Sequence, residues 1–188
     1  NIYLKNRYWV VNTERLQKMI YSLSGSQGQG KSEMISFFQE EGYCVFPMCA
    51  APANISSENE FQLYQEKLAE EKYSNILSLV SEIGADIVLE SSFIDIFVYS
   101  IMILGVHHDY SEWMQKMYNR CLNYQTVVDK VILFPLKENN DSAMNKFSTE
   151  SFNVLLDYYY RKNDITIYRA NNSTDIKKFV TREAFHEE

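Results

Sequence analysis

The stretch that most constrains this chain is Gly25-Ser26-Gln27-Gly28-Gln29-Gly30-Lys31-Ser32, which satisfies G-x-x-x-x-G-K-[ST] at every fixed position. With glycine at about 7% of an average sequence, a chance match anywhere in such a chain is on the order of 1 in 100 or less. The flanks agree with the motif. Met19 to Ser24 reads as a short buried strand running into the glycines, and Lys31 to Glu41 as a helix with Met34, Ile35, Phe37 and Phe38 on its apolar face. A strand, a glycine loop and a helix start are what phosphate capture requires. Backbone N–H groups point at the anion, the helix dipole favours negative charge, and glycine lets the backbone approach without a Cβ. The motif therefore predicts a bound nucleoside triphosphate, its base left open by the motif, held by Gly25, Ser26, Gln27, Gly28, Gln29, Gly30, Lys31 and Ser32. Lys31 is expected to reach the β- and γ-phosphates and the Ser32 hydroxyl to sit on Mg2+.

At 188 residues the chain is long enough for one domain with a proper core. Residues 1–18 read as an N-terminal extension and 19–188 as a single domain. Within the extension, Tyr8-Trp9-Val10-Val11 suits a short strand, and Asn12 or Thr13 could cap a helical turn through Lys18. A hydrophobic share of 46%, with 14 Tyr and 11 Phe, marks a globular chain rather than a disordered one. A net charge of −7, with no Lys/Arg run, argues against a nucleic-acid surface. Cys44, Cys49 and Cys121 lack zinc-type spacing and read as reduced thiols, which suits a cytoplasmic protein, or the host cytoplasm for a viral one. Neither a membrane-spanning apolar run nor a signal peptide is expected.

Beyond the first helix, Gly42 stands where a helix ends, and Tyr43 to Phe46 reads as a second strand. Pro47 to Ser57 is a loop of small residues, including Cys49, Ala50, Ala51 and Ala53, and Ser57 or Asn59 caps the next helix. That helix runs from about Glu60 to Ile83 and closes at Gly84, with Phe61, Tyr64, Leu68, Ile76, Leu79, Val80 and Ile83 as its apolar positions. Glu66, Lys67, Glu70, Glu71 and Lys72 read as its solvated face. Ala85 to Glu90 is a third strand ending in a carboxylate, where a phosphate-loop protein places its second Mg2+ contact, so Glu90 is the candidate metal-supporting residue. Asp95, in the first turn of an apolar helix to Leu104, reads either as a helix-start charge or as a group facing the substrate. Two adjacent histidines on a helix cannot face one metal, so His107-His108-Asp109 reads as a capped turn. Ser111 to Tyr124 is helical, with Trp113, Met117 and Cys121 as core or dimer-interface positions, so a homodimer is among the expected partners. Val131 to Phe134 is a fourth strand, stopped by Pro135. Lys137 to Thr149 is polar, Ser148 or Thr149 caps a helix to Arg161, Ile165 to Tyr168 is a fifth strand, and Thr174 to Ala184 is the last helix. Strands alternating with helices predict an α/β fold, a parallel five-stranded sheet flanked by helices on both faces.

The order of these parts resembles the P-loop nucleoside and nucleotide kinases. Within them it is most similar to the deoxynucleoside-kinase and nicotinamide-riboside-kinase-type ATPase group, which includes many phage proteins. The resemblance spans about Met19 to Ala170. It rests on the phosphate loop, on Leu89-Glu90-Ser91-Ser92-Phe93-Ile94-Asp95 before Tyr99, and on a polar lid after the Val131 strand. In that group the third strand ends in an acid followed by Arg and by Ser or Gly, with an Asp and a Tyr further on. Glu90, Ser92, Asp95 and Tyr99 match that pattern. Three features depart from it. Ser91 stands where the group carries arginine. No acid follows the second strand until Glu58. The lid holds only Lys137 and Lys146, and lysine lacks the bidentate fork of arginine.

The resemblance implies a P-loop NTPase fold and a phosphotransferase that moves the γ-phosphate of ATP to a nucleoside or nucleotide acceptor. Lys31, Glu90, Asp95 and Lys146 would be its catalytic residues, and Ser32 and Glu90 its Mg2+ contacts. The acceptor would lie between the Pro47–Ser57 loop, the long second helix and Asp95. Asp95 or Glu90 would take its proton, and Lys137 or Lys146 would close over the γ-phosphate. Arg120, Arg161 or Arg169 would have to supply any arginine contact. The alternative is a nucleotide-binding module of the same fold whose transfer is impaired and whose occupancy orders a lid or holds a partner. An NTPase with water as acceptor ranks lower, because no Asn-Lys-x-Asp base-reading signature is present.

Overall fold

The computed structural model describes residues 2–5, 8–11, 19–26, 30–47, 55–82, 86–104, 111–134, 143–170 and 172–186. Strands β1 (Ile2–Lys5) and β2 (Tyr8–Val11) form an antiparallel pair of their own, with Leu4 opposite Trp9. The Tyr8 strand is thus present with an unforeseen partner before it. The rest of the chain runs β3 (Ile20–Ser24), α1 (Lys31–Glu40), β4 (Cys44–Phe46), α2 (Glu58–Glu82), β5 (Ile87–Leu89), α3 (Phe93–Leu104), α4 (Ser111–Gln125), β6 (Lys130–Leu133), α5 (Ala143–Lys162), β7 (Ile167–Arg169) and α6 (Ser173–His186).

The five strands β3 to β7 pair in parallel in the order β4-β5-β3-β6-β7, so the strand that feeds the phosphate loop lies at the centre. Two carboxylates fix its start: Asp86 accepts from the Met19 amide at 2.9 Å and Asp129 from the Ile20 amide at 2.8 Å. Side chains alternate across the sheet, as a strand's two-residue period requires. Tyr21, Leu23, Val88 and Ile132 face Met34 and Phe38 of α1 and Ile176 and Val180 of α6. Ile20, Ile87 and Leu89 face α2, α3 and α4, while Val131 and Leu133 meet Ile94, Val98, Leu156 and Tyr160 of α3 and α5. Helices therefore cover both faces, as the alternation in the sequence predicts. Met117 and Cys121 belong to this core.

Gly42 (φ 87°) ends α1 as expected. Its amide donates to Gln39 and the Tyr43 amide to Phe38, and the Phe38 and Tyr43 rings meet edge-on at 5.1 Å, the apolar contact that accompanies such a cap. Because Tyr43 completes the cap, β4 begins one residue later than the sequence suggests. Ser57 caps α2, its hydroxyl accepting from the Glu60 amide at 3.2 Å. Two boundaries differ more. The last strand lies at Ile167–Arg169 rather than 165–168, and α5 begins at Ala143, not after Ser148 or Thr149. Ala, Met and Lys are good helix formers, so Ala143, Met144 and Lys146 extend the helix into the segment read as lid. The expected helical turn after Asn12, residues 48–54 of the small-residue loop, Gly84, the His107-His108-Asp109 turn, Pro135 and Lys137 lie outside the described residues.

Candidate active site

The carboxyl ends of β3 and β5 bring Gly25, Lys31, Glu90 and Asp95 of the sequence's candidate residues together. Gly25 leaves β3 with φ 129°, a backbone region that favours glycine, and a Cβ there would stand 3.4 Å from Cβ of Phe134. Gly30 starts α1 in a left-handed conformation (φ 89°, ψ 13°), and no side chain caps the helix. Lys31 follows, buried, with its ammonium donating to the Gly25 carbonyl across the loop. Burial pulls the Lys31 pKa below the ordinary lysine range, opposed by the negative charges of Asp95 and then Glu90. Ser32 is exposed, Glu90 is half-buried just past β5, and Gln27, Gly28 and Gln29 lie outside the described residues. Lys146 belongs to the first turns of α5.

Asp95 sits beneath the loop, fully enclosed. Its Oδ1 accepts from the Ser24 hydroxyl at 2.5 Å and its Oδ2 from the Ser92 amide at 2.7 Å, while the Asp95 amide donates to Ser92 Oγ at 3.0 Å. Tyr160 of α5 completes the network: its hydroxyl donates to Ser24 Oγ at 2.8 Å and lies 2.6 Å from Ser92 Oγ. Asn153, earlier on α5, accepts from the Ser26 amide at 3.2 Å. Burial pushes the Asp95 carboxyl above the usual carboxylate range, opposed first by Lys31, then by the Ser24 and Ser92 hydrogen bonds and by Lys72. The Tyr160 phenol is pushed well up by burial and by Asp95.

Lys72 is the residue the sequence reading misplaced. It is only 4% exposed, not part of the solvated face of α2. Its ammonium donates to the Ser91 carbonyl and, at 2.9 Å, to the Ser91 hydroxyl, and it lies 5.6 Å from the centre of the Phe93 ring. The signal was in the spacing: Gln65, Ala69, Lys72 and Ile76 follow one another at three- and four-residue steps, and all four are buried. Lys67, Glu70 and Glu71 are exposed as expected, and Glu66 is half-buried, accepting from the Trp113 indole at 2.6 Å. The three arginines that could have entered the site pair elsewhere. Arg120 meets Glu66 at 3.3 Å, and both Arg161 and Arg169 meet Asp157. Tyr99, which matches the kinase pattern, is 42% exposed on α3 beside Phe61.

The donor set suits a triphosphate with its metal. An uncapped helix start, a buried lysine and glycine backbone gather N–H and cationic donors where phosphate oxygens need them, and Ser26 Oγ, buried, has no hydrogen-bond partner among the described residues. A serine hydroxyl and a carboxylate, Ser32 and Glu90, are hard oxygen ligands of the kind Mg2+ takes beside phosphate.

No protein-family model matches the sequence, and no curated protein matches it. Solved structures do. Thymidylate kinase from Ehrlichia chaffeensis superposes with a TM-score of 0.59 over 87% of this chain and 98% of its own, at 10% identity. Deoxyadenosine kinase from M. mycoides, solved with bound dATP, gives 0.56 over 88% and 99%, at 14% identity. The YorR protein from Bacillus subtilis, solved in complex with phosphorylated GDP, gives 0.51 over 90% and 99%, also at 14% identity. At such identities the likeness is one of architecture, and it covers nearly the whole of each relative. The chain has the fold of the P-loop nucleoside and nucleotide kinases.

Proposed function

We propose that this chain is an ATP-dependent phosphotransferase that moves the γ-phosphoryl group to a nucleoside or nucleotide. The observation that carries this reading is the position of Lys31: buried at an uncapped helix start, folded onto its own glycine loop, with the charges of Asp95 and Glu90 beside it. Bound ATP would supply the phosphoryl group and a carrier for Mg2+. Gly25 to Ser32 would bind the phosphates, and Ser32 and Glu90 would hold the metal. Lys31 would exchange the Gly25 carbonyl for phosphate oxygen. Asp95, with both oxygens already engaged, would serve as a positioning residue that keeps Ser24 and Lys31 in place. Lys146, in the first turns of α5, would close over the γ-phosphate. Residues 19–188 would form the kinase-like domain and residues 1–18 an extension of it.

One observation favours a second reading, a nucleotide-binding module with impaired transfer. Arg120, Arg161 and Arg169 are all paired away from the loop, and arginine contacts of this kind carry about 10³-fold or more in phosphoryl transfer. An ADP-release assay with ATP and Mg2+ across nucleosides and nucleoside monophosphates separates the two, with ATP binding followed by thermal shift. Acceptor-dependent ADP supports the kinase. An ATP-induced shift without turnover on any acceptor supports the module. Retained ATP affinity in Lys31→Ala would overturn both.

A further inference from the structure

We propose that Asn153 of α5 is a positioning residue of the phosphate loop, holding the Gly25–Ser26 peptide in place once Lys31 turns to the nucleotide. This rests on the phosphotransferase reading and adds to it a residue outside the loop motif. The peptide unit between Gly25 and Ser26 is gripped from both sides. Its carbonyl accepts from the Lys31 ammonium, and its N–H donates to Asn153 Oδ1 at 3.2 Å. The C=O and N–H of a trans peptide point in opposite directions, so Lys31 and Asn153 stand on opposite flanks of one plane. A backbone N–H can only donate, which fixes Oδ1 as the atom that faces it. Two residues earlier, Tyr160 of the same helix donates to Ser24 Oγ at 2.8 Å. Asn153 and Tyr160 are two helical turns apart on one face of α5, with Leu156 buried between them. The helix therefore holds the chain immediately before and immediately after Gly25.

Gly25 is the pivot between those two contacts. With no Cβ and a φ of 129°, it lets the next peptide turn over at little cost. While Lys31 lies on the Gly25 carbonyl, that rotation is blocked from both sides. When Lys31 exchanges the carbonyl for phosphate oxygen, Asn153 is the hold that remains among the described contacts. A peptide that turned would swing its N–H off Asn153 and carry Ser26 with it. Ser26 is only 8% exposed and its hydroxyl has no partner among the described residues, so what that hydroxyl reaches depends on how this peptide sits. A loop held in its binding shape spares the nucleotide the cost of ordering it. Asn153 also makes the shape of the loop depend on α5, the helix that carries Lys146 in its first turns.

The test follows the Ser26 amide and the nucleotide together, on the full chain with Mg2+ and a non-hydrolysable ATP analogue. Hydrogen exchange at the Ser26 amide, read by NMR, should be slow in the unmodified chain both before and after the analogue binds. Asn153→Leu keeps the size of the side chain and removes the acceptor. It should speed that exchange with the analogue bound and weaken analogue affinity about 10-fold, the effect of one buried donor left unpaired. Asn153→Asp keeps an acceptor oxygen at the same reach and should keep the exchange slow. Val154→Ala, on the exposed side of the same helix, should change neither. Exchange as slow in Asn153→Leu as in the unmodified chain would overturn the proposal, as would unchanged affinity in that variant or an equal loss in Val154→Ala. Exchange that quickens in the unmodified chain as the analogue binds would overturn it even where Asn153→Leu does not fold. An analogue that fails to bind the unmodified chain brings down the phosphotransferase reading, and this proposal with it. One that binds regardless of Asn153 brings down this proposal alone.

Discussion

The Tyr160 hydroxyl donates to Ser24 Oγ at 2.8 Å, across 136 positions of sequence, and ties α5 to the last residue of the strand that feeds the phosphate loop. Ser24 passes its own proton to Asp95, and the Ser92 hydroxyl turns to the same phenol. Tyr160→Phe keeps the buried ring and leaves the Ser92 hydroxyl proton without its acceptor. A buried donor so stranded costs about 1–3 kcal/mol. Urea denaturation should show a lower midpoint at unchanged slope. An unshifted midpoint would mean that the network adds nothing to stability.

Gly25 and Gly42 both have positive φ, at 129° and 87°, but only Gly25 has a neighbour within reach of an added Cβ. Each change to alanine should cost about 1–3 kcal/mol in backbone strain. Gly25→Ala should in addition weaken ATP binding, because the strained residue opens the phosphate loop. Gly42→Ala should leave ATP affinity unchanged, since that glycine ends α1 at the far end of the helix from the loop. Equal ATP affinity in the two variants, measured by titration, would separate the Gly25 conformation from nucleotide capture.

What the sequence made legible follows from how local each signal is. The phosphate loop is one continuous run whose glycines, lysine and serine each answer a local requirement, and its strand and helix appear in place. Gly42 announces the end of α1 through its own φ. The polar network under the loop is only partly local: Ser92 and Asp95, three residues apart, cap the start of α3 reciprocally, but Ser24 and Tyr160 lie far off along the chain and nothing in their spacing says that they join. Lys72 was misassigned for a related reason. It follows Glu70 and Glu71 and so looks like one more charge on a wet face, whereas its helical phase places it among Ala69 and Ile76. The start of α5 was hidden because Asn139 to Ser142 read as loop, and composition alone sets no boundary there.

Glu90→Gln separates metal support from nucleotide capture. Glu90 stands just past β5, its amide donating to the Phe46 carbonyl at 3.0 Å, and its charge bears on Lys31. The amide keeps the size of the side chain and removes a hard anionic ligand. Acceptor-dependent ADP release should fall by about 10²-fold or more, while ATP affinity without Mg2+ changes by no more than a few-fold. Unchanged turnover would remove Glu90 from the metal's surroundings.

Asp95 makes a prediction about pH. Burial raises its folded-state pKa above the value in the unfolded chain, so the folded chain holds this proton more tightly. Its contribution to stability is then fully present below the ordinary carboxylate range of about 4, and is lost as pH rises through the raised folded-state value. Asp95→Asn carries no such proton. The variant should start with a lower Tm, since its single amide oxygen can accept from only one of Ser24 and Ser92 while its NH2 group faces the other as a donor. That deficit should then shrink as the pH climbs from about 4 towards neutrality, because only the parent chain bears the growing cost of a buried carboxylate. Thermal denaturation of both proteins at several pH values reads this directly. Parallel curves would mean that Lys31 and the two hydrogen bonds fully offset the burial, leaving Asp95 ionised at no cost.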